Sequence, residues 1–175
     1  MKNKEKESYM KKFIEKIRNI CEKNKNVAMF IDMDGTINEY VVYSEATVSK
    51  QMEDGYTEIA PVLPVINVLE EISHISNIDI YILSLSKTKK ISEEKNIWLE
   101  KHVGFIPKEN WIVLTKENGD YNKENRDIIK PLKMEEKLDK YEHVILLDDD
   151  HKILKQSAEM LKDKADVFHV TSALI

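Results

Sequence analysis

A chain of 175 residues, 42% hydrophobic and 34% charged, fits one soluble globular domain with a substantial core. Its 27 Lys and Arg stand against 32 Asp and Glu, and a net charge of -5 argues against a dedicated nucleic-acid scaffold. The single cysteine, Cys21, excludes an internal disulfide, and no apolar run is long enough to cross a bilayer. The N-terminus is highly charged and lacks a signal-peptide core, so the expectation is a cytoplasmic protein.

The first element is an amphipathic helix over about residues 5–24, with Met10, Phe13, Ile14, Ile17, Ile20 and Cys21 on one face. Cys21 on that stripe reads as a buried structural thiol. A strand from Val27 to Ile31 follows and runs into Asp32-Met33-Asp34-Gly35-Thr36. Residues i and i+2 of a strand share a face, so Asp32 and Asp34 can aim at one site while Gly35 turns the backbone away. Two close carboxylates repel, and a hard divalent cation relieves that repulsion. The pairing suits phosphoryl chemistry, with one carboxylate as nucleophile and the other as proton donor.

An insert of about residues 38–58 carries Tyr40, Val41, Val42, Tyr43, Met52 and Tyr56. It reads either as a small helical lid with aromatics to stack on a base, or as a small closed core. Pro64 suits the first turn of a helix bearing Val65, Val68, Leu69 and Ile72. The run from Ile78 to Leu83 is a second strand, ending at Ser84, with Ser86 placed to cap the next helix. That helix carries Ile91, Lys95, Trp98, Leu99 and His102, the lysine stem flanking its apolar stripe. Further strands are expected from Trp111 to Thr115, Val144 to Leu147 and Val167 to Val170. Helices are expected from Pro131, with Leu132, Glu135, Leu138 and Asp139, and through Ile153, Leu154, Ser157 and Leu161.

Strands alternating with helices imply a parallel sheet with helices on both faces, in one domain over 1–175. Functional groups then collect at strand carboxyl ends. Asp32 follows the first strand, Ser84 the second, and Asp148-Asp149-Asp150 the fourth. The five histidines show no metal-site spacing.

Taken in order, Asp32, Asp34, Ser84, a lysine before the fourth strand and the late aspartates resemble the haloacid dehalogenase (HAD) superfamily of phosphatases. The resemblance covers about Val27 to His169. It implies a three-layer, Rossmann-like, five-stranded parallel sheet of order 3-2-1-4-5 with a small helical cap insert. It implies that Asp32 attacks phosphorus and that Asp34 protonates the leaving oxygen, then activates water. Mg²⁺ would be held by Asp32, the backbone carbonyl of Asp34 and Asp149, with Asp148 in support. Ser84 would donate to the phosphate, with Gly35, Thr36, Leu85 and Ser86 as further substrate-binding positions. Lys130 is the candidate third-motif lysine, and Lys116 and Lys123 in the same connection are its rivals.

A narrower likeness is to the 5'(3')-deoxyribonucleotidase-like phosphatases. It rests on Tyr56 to Pro64, on Glu94-Lys95-Asn96-Ile97-Trp98-Leu99-Glu100-Lys101-His102, and on Ile112 to Thr115. The implied partner is a small phosphorylated substrate, a nucleotide first. A nucleic-acid end is the alternative, and no membrane is expected. A monomer or homodimer is expected. A receiver domain, acting as a phospho-aspartate switch, also clusters aspartates around Mg²⁺. There, however, the acidic pair comes first and the phosphoacceptor follows a middle strand, where this chain has Thr115. A non-catalytic binding descendant is opposed by the intact Asp32 and Asp34.

Overall fold

The computed structural model describes residues 2–39 and 55–174, with side chains from residue 12 onward. The insert aromatics Tyr40 and Tyr43, together with Val41, Val42 and Met52, lie outside the described residues, as does the side chain of Met10. Helix α1 (Lys2–Lys23) leads into strand β1 (Val27–Ile31). After the insert come α2 (Leu63–Ser73), β2 (Ile78–Ser86) and α3 (Lys89–His102). The second half runs β3 (Trp111–Thr115), α4 (Ile129–Glu135), β4 (His143–Asp148), α5 (His151–Leu161), β5 (Ala165–His169) and α6 (Thr171–Leu174). All strand pairs are parallel, in the order β3-β2-β1-β4-β5. Among the described residues no helix is long and apolar enough to cross a membrane.

Every residue of β1 and of β4 is buried. This is why both read as nearly unbroken apolar runs, since helices cover both faces of a parallel sheet. Side-chain alternation divides the core in two. Met29, Ile31, Ile145 and Leu147 pack with Phe13, Ile17, Leu69 and Trp98 from α1, α2 and α3. Ala28, Phe30, Val144 and Leu146 pack with Met134, Ile153 and Leu161 from α4 and α5. Each large side chain fully withdrawn from water contributes about 1.5–3 kcal/mol, so the two layers hold the central strands firmly. Cys21 is buried in the first layer, and burial pushes its thiol up to about 11, out of the nucleophilic range.

Several boundaries differ from the sequence reading; β4 gains His143 and Asp148 at its ends, and the α-helix expected through Asp139 stops at Glu135 and continues as a 3-10 turn. Strand β2 continues through Ser84 to Ser86, because β3 pairs along it as far as Ser86↔Thr115. Helix α4 opens at Ile129, two residues before Pro131, which puts Lys130 inside its first turn. A proline is accepted there because first-turn N–H groups have no intrahelical partner. Strand β5 spans Ala165 to His169, fixed by its pairing with Val144 to Asp148. Thr88, not Ser86, caps α3, its hydroxyl accepting from the Ile91 amide at 3.2 Å.

Candidate active site

Strand β1 lies between β2 and β4, so the segments leaving these three strands meet at one end of the sheet. Past Ile31, the Asp32 amide still bonds the Leu147 carbonyl at 3.0 Å, which keeps Asp32 beside β4. The chain then folds tightly, with the amides of Thr36, Ile37 and Asn38 all reaching the Met33 carbonyl. Gly35 sits at φ 76°, and a β-carbon there would lie 2.5 Å from Asp149 Oδ2. Glycine is therefore demanded twice, by the backbone turn and by the approach of the Asp149 carboxylate.

Lys130 reaches from α4 beneath this cluster. Its ammonium donates to Asp32 Oδ1 at 2.6 Å and to Asp148 Oδ2 at 2.7 Å, and it is 2% exposed. Lys116 and Lys123, its rivals on sequence, are exposed. Asp148 is fixed further by the Asp150 amide, which donates to its Oδ1 at 2.8 Å. The late aspartates divide their work. Asp150 caps α5 through the Lys152 amide and pairs with Arg126 at 3.0 Å, while Asp148 and Asp149 face Asp32. The capping role thus falls to Asp150 of the three.

Asp34 turns the other way. Its Oδ2 accepts from Lys95 at 2.6 Å and its Oδ1 from the Tyr56 hydroxyl. Lys95 also donates to Ser84 Oγ and to the Leu85 carbonyl, each at 2.8 Å. Sequence reading set Lys95 as a snorkelling stem, yet its head is buried at 1% exposure. The signal was there: a lysine among Ile91, Trp98 and Leu99 sits on a buried stripe, where an ammonium requires a partner. Tyr56, which donates to Asp34, and Asn38, which donates to Tyr56, are the other residues that sequence reasoning missed in this role, because both contacts of Tyr56 span the insert.

Burial pushes the Asp32 carboxyl up to about 7 in spite of Lys130, with Asp148 and Asp34 adding to the rise. Burial, then Asp148, also raises Asp149. Burial opposes the Lys130 ammonium, but Asp32 and Asp148 outweigh it and raise its pKa. When ionised, the four carboxylates Asp32, Asp34, Asp148 and Asp149 exceed the two ammonium groups Lys95 and Lys130 by two charges. Carboxylate oxygens of Asp32, Asp148 and Asp149 lie within 4.8 Å of one another. An all-oxygen set with a surplus of two negative charges fits a hard divalent cation such as Mg²⁺.

The site opens into a cleft of about 580 Å³, with Asp32, Asp34, Asp148 and Asp149 on its floor and Tyr56, Ile91, Tyr121 and Arg126 among its walls. That volume suits a small-molecule ligand. Of the expected substrate-binding positions, Leu85 and Ser86 line the cleft. Ser84 and Thr36 are fully buried, and Thr36 Oγ1 has no hydrogen-bond partner among the described residues. Gly35 lies against Asp149. Thr115 ends the edge strand with its hydroxyl 3.0 Å from Ser86 Oγ, apart from the carboxylate cluster.

The sequence matches no family model and, at a significant level, no curated protein. Solved structures do resemble it. The HAD domain of the effector protein Lem4 from Legionella pneumophila, as an inactive mutant, superposes with a TM-score of 0.50 at 14% identity, covering 83% of this chain and 84% of that one. Another structure of that domain gives 0.49 at 16% identity, covering 83% and 87%. A haloacid dehalogenase-like hydrolase from Burkholderia xenovorans gives 0.49 at 12% identity, covering 81% and 80%. With its five parallel strands in the order 3-2-1-4-5, the chain has the α/β fold of a HAD domain.

Proposed function

We propose that this protein is a Mg²⁺-dependent phosphomonoesterase of the HAD type, acting on a nucleotide or similar small phosphate ester. The observation that carries this reading is the convergence of Asp32, Asp148 and Asp149 around the buried Lys130 at the base of a ligand-sized cleft. Buried carboxylates are costly to assemble, and a site that keeps two of them together with a half-buried third has a use for their charge.

Asp32, Asp148 and Asp149, with the Asp34 backbone carbonyl, would hold the cation. When bound, it supplies charge neutralisation and Lewis acidity at the phosphoryl oxygens. A carboxylate oxygen of Asp32 attacks phosphorus, the bond to the leaving oxygen breaks, and Asp34 gives that oxygen its proton. Asp34 then takes a proton from water as the water displaces Asp32 from the aspartyl-phosphate. Inorganic phosphate leaves, and Asp34 is again the acid. Lys130 holds Asp32 in its rotamer throughout. Ser84 accepts from Lys95, so its own O–H is free to point onward. The apolar and aromatic walls suit a base or comparable ring on the leaving group. The likeness of Glu94 to His102 to the deoxyribonucleotidase helix supports the same substrate class.

The test is phosphate release with Mg²⁺ across nucleotides, sugar phosphates and 3'-phosphorylated oligonucleotides. A dominant nucleotide is expected, and a dominant oligonucleotide would move the substrate to a nucleic-acid end. Asp32→Asn keeps the side-chain volume and should lower turnover by several orders of magnitude. Near-normal hydrolysis by that variant would eliminate the covalent mechanism.

A further inference from the structure

Asp34 is the open carboxylate of the site, its side chain 41% exposed. Lys95 anchors one of its oxygens and has no hydrogen left over, since its other two contacts go to Ser84 and the Leu85 carbonyl. A single anchor leaves a carboxylate free to pivot about that contact. The Tyr56 hydroxyl, on the other oxygen, removes this freedom.

Tyr56 is itself held on several sides. Its amide donates to Glu94 Oε2 at 2.9 Å, and Lys95 Nζ lies 5.0 Å from its ring centre. Three residues on, the Ile59 carbonyl accepts from Trp98 Nε1 at 2.7 Å. Helix α3 thus grips the chain from Tyr56 to Ile59 through Glu94, Lys95 and Trp98. On the remaining side, Asn38 Nδ2 donates to the Tyr56 oxygen. An amide N–H only donates, so the single phenolic proton is directed to Asp34. Asn38 is fully buried and cannot turn to water.

We propose that Tyr56 is a positioning residue for proton transfer: it locks the plane of the Asp34 carboxylate so that its unused lone pairs face the leaving-group oxygen. Each carboxylate oxygen has two lone pairs, so the contacts with Tyr56 and Lys95 leave one on each for the transferred proton. The proposal rests on the phosphomonoesterase reading above. It assigns a use to Tyr56 and Asn38, which bracket residues 39–55.

The experiment compares wild type and Tyr56→Phe, each as the full chain with Mg²⁺, on aryl phosphates running from 2,4-dinitrophenyl to phenyl phosphate. Phenylalanine keeps the ring against Lys95 and removes only the hydroxyl. For phenyl phosphate kcat should fall about 10- to 100-fold, since misaligned proton transfer forfeits part of the gain from acid catalysis. For dinitrophenyl phosphate, whose leaving group departs without a proton, the loss should stay below about threefold. KM should change by less than about threefold for both. In an Asp34→Asn background Tyr56→Phe should have no further effect. A crystal structure of Tyr56→Phe should show Asp34 in a new rotamer with Lys95 still attached. With wild type active, an equal loss on every substrate, a further loss in the Asp34→Asn background, or an unmoved Asp34 overturns the proposal. Wild type inert toward every aryl phosphate would instead defeat the phosphatase reading and take this inference with it.

Discussion

Lys130 is the residue on which the electrostatics of the site turn. Its ammonium lies between two carboxylates that are largely withdrawn from water at the floor of the cleft. Replacing it by Met keeps most of the packing and leaves Asp32 and Asp148 without a counter-charge. Breaking a buried pair in this way costs about 3–5 kcal/mol, so Lys130→Met should lose that much stability to urea in Mg²⁺-free buffer. Lys116→Met and Lys123→Met, at exposed positions, should stay within about 0.5 kcal/mol of wild type. Equal urea midpoints for all three variants would show that Lys130 carries no such load.

At the scale of elements, α3 is the scaffold for the Asp34 side of the site. Its buried face presents Lys95 to Asp34 and Trp98 to the core, and its N-terminus starts at a fixed point because Thr88 caps it. Removing that cap frees an amide at the helix start without touching the core. Thr88→Ala should cost about 1 kcal/mol in urea denaturation, with Thr88→Ser close to wild type. No difference between alanine and serine would mean that the Ile91 amide finds another acceptor. Strand β2 shows the reverse influence, of partner on element. Its last residues extend because β3 pairs with them, which carries Leu85 and Ser86 to the cleft.

Across the whole molecule, a cation held by the carboxylate cluster would couple the site to folding. Bound by Asp32, Asp148 and Asp149, it would hold the carboxyl ends of two central strands together, and the unfolded chain has no such arrangement. Mg²⁺ at a hundredfold excess over its Kd should therefore add about 2.7 kcal/mol. For a domain of this size that raises Tm by roughly 5–10 °C. EDTA should reverse the shift, and Asp149→Asn should remove most of it. An equal shift in Asp149→Asn would place the cation elsewhere.

The one-dimensional pattern determined the sheet and the carboxylates at the ends of its central strands. Apolar runs such as Val27 to Ile31 and Val144 to Leu147 are legible because both faces of a central parallel strand are buried. Asp32, Asp34, Asp148 and Asp149 stood out because charges directly after such runs fall at strand ends. Side chains that meet across long separations left no such mark. Lys130 is 98 residues from Asp32, and its choice over Lys116 and Lys123 depended on which lysine α4 carries under the sheet. Lys95 and Tyr56 belong to Asp34 because α3 packs against the return of the insert, 61 and 22 residues along the chain from that aspartate. Hydrophobic periodicity records which face of an element is buried. The partner of a buried charge on that face is set by the angle at which two elements pack, and only the tertiary structure decides it.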